Sequence, residues 1–138
     1  MKTDIASPAP WAARAILTKG ILVGLLGSIH IVGTFTFERE TVAGWGPAAL
    51  RRDYLVWFGV TGVYILLLGL LDLLCHSGVR ANSALARRIA WLNAGFTALT
   101  GGMGVAVFGF SPPLLLLVTG AMALGALALS RPALSPLD

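Results

Sequence analysis

Long apolar runs, each carrying at most a charge or two near its ends, constrain this chain more than any other feature. The run from Tyr54 to Leu74 holds Asp72 as its single charge. A bilayer core offers no water to backbone N–H and C=O groups, so a segment crossing it must satisfy its own hydrogen bonds, and a helix of about 20 apolar residues does so. Runs of this kind lie at 15–37, 54–74, 88–109 and 112–130. They predict an all-α integral membrane protein, a four-helix bundle forming a single transmembrane domain over 1–138.

Composition agrees. With 57% hydrophobic and 12% charged residues, the chain lacks the polar surface that a water-soluble domain of this size needs. Four spans and their connections leave no room for a separate extramembrane enzyme domain. Cys75, the sole cysteine, excludes an intramolecular disulfide. The net charge of +4 comes from residues scattered at helix ends, which argues against nucleic acid as a partner. Met1 to Gly20 lacks a small-residue cleavage site, so the first apolar run is expected to be retained.

Lysine and arginine assign the sides. Lys2, Arg14 and Lys19 near the start, Arg80, Arg87 and Arg88 between the second and third runs, and Arg131 at the end fall together, which predicts both termini in the cytoplasm. The expected location is the cell inner (cytoplasmic) membrane, multi-pass. On the opposite side the loop Glu38–Asp53 balances Arg39, Arg51 and Arg52 with Glu38, Glu40 and Asp53. Its Gly44, Trp45, Gly46 and Pro47 supply turn chemistry, and Ala48 to Asp53 reads as an interfacial helical extension. Trp11, Trp45, Trp57 and Trp91 lie near span ends, as interfacial anchors do. Ser111-Pro112-Pro113 suits a helix start, with Ser as cap and Pro in the first turn.

Lipid tails are as apolar as leucine, so helices in a membrane associate through close backbone approach at small residues. Gly20, Gly24 and Gly27, then Gly62 and Gly69, then Gly101 and Gly104 recur on single helix faces and mark expected contacts, within one bundle or between copies.

Ionisable residues inside spans are costly, and each has a structural and a functional account. His30 shares a face with Gly27, Thr34 and Glu38. It is either a neutral histidine bonded to a neighbouring helix, or a proton carrier, ligand contact or metal or haem ligand. A bis-histidine haem needs a partner at equal depth, and the other histidine, His76, falls at the opposite end of its span, so no cofactor and no metal are expected. The six charges Glu38, Arg39, Glu40, Arg51, Arg52 and Asp53 either close the loop by mutual salt bridges or form a polar lid over a cavity containing His30. A ligand site there would comprise His30, Thr34, Glu38, Arg51, Arg52 and Trp57. At the other end Asp72 and His76 are one turn apart, and Arg87 and Asn93 begin the third span at the same depth. An inner cluster of Asp72, His76, Arg87 and Asn93 is expected, with Asp72 bonded to an arginine or to Asn93. Asn93, Thr97, Thr100 and Gly104 form a mildly polar seam, satisfied by the helix's own carbonyls or lining a water path.

With GLLGSIHIVG in the first span, VWFGVTGVYILLLGLLDLL in the second, a third span begun at Trp91 and a Gly-Phe-Ser-Pro-Pro connection to the fourth, the chain resembles small bacterial four-helix inner-membrane proteins of undefined function over roughly Gly20 to Leu129. The similarity to DoxX-like proteins is architectural, and neither resemblance implies a known activity. Three functions fit these residues: a protein binding a lipid or small hydrophobic ligand or serving as accessory subunit of a membrane complex; a membrane-embedded enzyme with His30 and Glu38 as acid and base; and a small oligomeric proton-coupled transporter using Asp72 or His30. Membrane lipids, a hydrophobic small molecule, and further copies or a larger complex are the expected partners.

Overall fold

The computed structural model describes residues 10–36, 39, 41–44, 46–109 and 112–130. Among these residues the chain is all-helical: α1 (Pro10–Phe35), a 3-10 turn (Val42–Gly44), α2 (Ala48–Arg80), α3 (Ala84–Phe108) and α4 (Pro113–Leu129). α1 and α2 are long and apolar enough to cross a membrane.

The first three helices begin before their expected bounds, and α2 also ends beyond them, where the sequence offers starts and stops that apolarity alone does not mark; α4 falls within 112–130. α1 begins at Pro10, whose missing N–H costs nothing in a first turn. α2 takes in Ala48 to Asp53 and continues past Leu74 to Arg80, so the connection after α1 is shorter than Glu38–Asp53. The α2–α3 connection is equally abrupt. Asn82 takes the left-handed conformation at φ 59, and the Ser83 hydroxyl accepts from the Ala86 amide to cap α3. Gly109, at φ 83, ends α3. Ser111 lies outside the described residues, and α4 is opened by Pro112 and Pro113.

Each helix packs on its neighbours in a ring, α1 on α2, α2 on α3, α3 on α4 and α4 on α1, and the pairs α1/α2 and α3/α4 are the most intimate. Glycine explains why. A Cβ on Gly27 would meet the Leu66 Cα at 2.7 Å, and one on Gly69 the Gly24 Cα at 2.6 Å, so the α1 and α2 backbones touch with no side chain between them. Gly101 and Gly120 do the same for α3 and α4, where a Cβ would meet the Cα of Leu117 at 2.7 Å and of Ala98 at 2.8 Å. Gly20, Gly62 and Gly104 also lie in these contacts, whereas a Cβ on Gly24 would meet nothing within 4 Å. The bundle is therefore two glycine-locked hairpins set side by side.

Polarity is distributed from the inside out. Lys19, Asp72, Asn93 and Thr97 are buried, while Leu74, Phe108 and Leu129 are about four-fifths exposed on the outside. One apolar cluster, with Ala13, Ile16, Val79, Ala90, Ala94, Ala123 and Leu127, draws on all four helices. A second joins Val23, Ile65, Leu68 and Leu116. Between them, along each of α1 and α2, lies a charged residue.

Candidate functional site

That polar layer is built from three helices. Lys19 follows Pro10 by roughly 14 Å of helix, Asp72 precedes the end of α2 by roughly 12 Å, and Asn93 follows the start of α3 by roughly 14 Å at 1.5 Å rise per residue. They therefore meet at one depth. The Lys19 Nζ donates to Asp72 Oδ2 in an ion pair whose side chains are 1% and 0% exposed. Asn93 Nδ2 donates to Asp72 Oδ1 at 2.6 Å and to the Leu68 carbonyl at 2.9 Å. Gly20, beside Lys19, lets α2 approach closely enough for the pair, since a Cβ there would lie 3.0 Å from the Asp72 Cβ. The acceptor Asn93 Oδ1 is buried and has no hydrogen-bond partner among the described residues.

Two expectations are corrected here. Lys19 is not a solvated topology residue at a helix start; it is the buried counter-ion of Asp72. Arg87 does not join Asp72. Its Nη2 donates to the Leu127 carbonyl at 3.1 Å, the Ser130 carbonyl at 2.9 Å and the Ser130 hydroxyl at 3.2 Å, tying α3 to the end of α4. Of the expected inner cluster, Asn93 does contact Asp72, and the His76 Nδ1 lies 2.8 Å from the Leu73 carbonyl of its own helix. Thr97 donates to the Asn93 carbonyl, so the polar seam is closed on its own backbone at this point.

The other expected site divides. His30 stacks on Phe58 of α2, ring centroids 3.8 Å apart and 16° from parallel, and Phe58 stacks in turn near Tyr54. Thr34 is buried and bonds the His30 carbonyl. Trp57 points outward, 70% exposed, away from His30's partner on the same helix. Glu38 lies outside the described residues. Arg51 donates to the Gly46 carbonyl at 2.6 Å, and an open recess of about 370 Å³ beside it is lined by Arg39, Val42, Ala43, Arg51, Arg52 and Leu55, with no contribution from His30.

A second recess, of about 280 Å³, lies between α2 and α3 where the two hairpins meet; Asn93 lines it together with Tyr64, Leu71, Ile89, Leu92 and Phe96. Among the described residues no three of His, Cys, Asp and Glu gather as metal ligands would. No protein-family model matches the sequence, and neither a curated protein nor a solved structure is significantly similar to it.

Proposed function

We propose that the chain is a multi-pass protein of the inner (cytoplasmic) membrane, crossing it four times with both termini in the cytoplasm, and that it binds a lipid or small hydrophobic ligand within the membrane. The inside-out distribution of polarity carries this reading. A soluble protein would bury the large apolar side chains that stand outside here and would leave lysine in water. Lipid contact accounts for both. α3 spans 25 residues and α4 spans 17, within the range that crosses a bilayer, though α4 only just. As in the resemblance to small four-helix inner-membrane proteins, the apolar exterior of the described bundle faces lipid in this proposal. Its ligands are molecules already dissolved in the bilayer.

The test has two parts. Single cysteines placed at Ala9, Gly44, Asn82 and Ser135, in a Cys75→Ala background, report sidedness. Labelling by an impermeant maleimide at Gly44 alone in intact cells supports the topology, and labelling at Asn82 in intact cells overturns it. Native mass spectrometry of the purified protein then asks whether a small apolar molecule is retained after detergent removal; a bare polypeptide mass in every charge state counts against ligand binding.

A second reading, a proton-coupled transporter, is favoured by the buried Lys19–Asp72 pair, because intramembrane ion pairs commonly lie on ion pathways. Proteoliposomes showing pH-driven flux that disappears in Asp72→Asn would support it. The enzyme reading would require His30 to leave its stack on Phe58 and meet a substrate, and it rests on no further observation.

A further inference from the structure

We infer that the recess between α2 and α3 is a binding site for a neutral, lipid-soluble hydroxyl compound, which donates its O–H to Asn93 Oδ1; this deepens the ligand-binding reading above and rests on it. Three observations converge. First, Asn93 is 2% exposed and both bonds of its Nδ2 are committed, to Asp72 and to Leu68, so the orientation of the amide is set and Oδ1 is the remaining polar atom. An amide oxygen only accepts, and burial without a donor is costly, which selects a ligand carrying an O–H or N–H rather than a carbonyl or an ether.

Second, the remaining walls suit an apolar body. Tyr64, Leu71, Ile89, Leu92 and Phe96 bring no formal charge, and Asp72, bonded to Asn93, is neutralised by Lys19. A neutral molecule is therefore preferred to an ion. Tyr64 and Phe96 are 39% and 54% exposed and present aromatic rings that can pack against an aromatic or isoprenoid body. The volume of about 280 Å³ is at the small end of ligand pockets, suited to one ring and a short tail.

Third, the recess sits on a seam where no glycine brings backbone against backbone. Glycine locks α1 to α2 and α3 to α4, whereas α2 and α3 are held across the seam by the Asn93 bonds and by side chains without such backbone contact. A ligand entering from the lipid reaches Oδ1 by separating flexible Leu and Phe side chains, without disturbing either hairpin.

The experiment uses the full chain in nanodiscs, with 4-hexylphenol and its O-methyl ether 4-hexylanisole as probes, alike in apolar body and differing in the donor. The phenol is expected to bind at least tenfold more tightly by calorimetry, and Ile89→Trp, which fills the recess while leaving Lys19, Asp72 and Asn93 unsubstituted, is expected to lower phenol affinity at least tenfold with unchanged helicity. Equal binding of phenol and anisole, or full phenol binding by a folded Ile89→Trp, overturns the inference. Should that variant misfold, a diazirine-bearing alkylphenol on the wild-type chain decides. Cross-links confined to peptides spanning Tyr64–Leu71 and Ile89–Phe96 support the site, and cross-links elsewhere overturn it. A co-purifying lipid together with absence of phenol binding overturns this site while leaving the broader ligand-binding reading standing. Absence of any bound small molecule together with absence of phenol binding overturns both.

Discussion

Lys19 of α1 and Asp72 of α2, 53 positions apart, form an ion pair in the interior of the bundle, and Asn93 of α3 holds the other carboxylate oxygen at 2.6 Å. Removing water from either charge is expensive, and the attraction between them repays it only while both are present. Lys19→Met leaves Asp72 with one amide, and Asp72→Leu leaves a buried ammonium with nothing to neutralise it. Each single change is expected to destabilise by about 3–5 kcal/mol. The double variant Lys19→Met/Asp72→Leu is expected to regain most of that loss, since no charge remains to be desolvated. Unfolding of the four proteins in mixed micelles measures the coupling, and additive losses would mean that the pair is not a unit.

Much of this layer is legible in the sequence, and the reason Lys19 is not is physical. Asp72 and Asn93 stand at the same distance from the α2–α3 connection, so their meeting follows from depth alone. A lysine near the start of an apolar run ordinarily extends its amine to the interface, and that habit conceals its burial here. The signal that identifies it is Pro10, a helix opener that places Lys19 well inside α1 and on a level with Asp72. Arg87 is misread for the converse reason. Its helix begins at Ala84 rather than 88 and so carries Arg87, but the end of α4 offers three acceptors, and sequence spacing says nothing of which neighbour an arginine will choose. The aromatic partner of His30 likewise depends on the rotation of α2, which presents Phe58 inward and Trp57 outward, one residue apart.

Glycines that look equivalent in sequence should behave differently. Gly27→Ala would drive its Cβ into the Leu66 backbone and Gly69→Ala into that of Gly24, and backbone cannot yield as a flexible side chain does. Each is expected to cost about 1–3 kcal/mol, the range for overpacking a close contact. Gly24→Ala meets nothing within 4 Å and removes a helix-weakening glycine, so its stability should match or slightly exceed that of the wild type. Unfolding midpoints of the three variants in one detergent test the contrast; equal losses would place the α1/α2 contact elsewhere.

The His30–Phe58 stack makes the imidazole's role separable from its ring. His30→Phe preserves an aromatic face against Phe58 and should keep the stacking contribution, whereas His30→Ala should lose it, about 0.5–1.5 kcal/mol beyond the area it buries. If ligand retention in native mass spectrometry survives in His30→Phe, the imidazole nitrogens are not needed for binding. Loss of function in a fully folded His30→Phe would instead revive the enzyme reading. Trp57→Ala, altering an outward-facing ring beside the same helix turn, should leave both measurements unmoved.

Arg87 sets the end of α4. Its Nη2 reaches the Leu127 carbonyl and both oxygens of Ser130, acceptors left over where the helix runs out, and its positive charge lies at the negative end of the α4 dipole. Arg87→Ala removes these bonds together and is expected to cost about 1.5–3 kcal/mol, the range for hydrogen bonds to a charged group. The loss should be local. Amide exchange over the last turn of α4 should quicken, while exchange at Gly62 to Gly69, inside the α1/α2 contact, should stay as slow as before. Arg87→Lys keeps the charge but has a single nitrogen at its tip, so it should recover only part of the protection. Arg88, the next residue, is exposed, and Arg88→Ala should leave exchange at α4 unchanged. An equal effect of both substitutions would show that net charge at this end of the bundle, rather than the guanidinium's position, holds α4 in place.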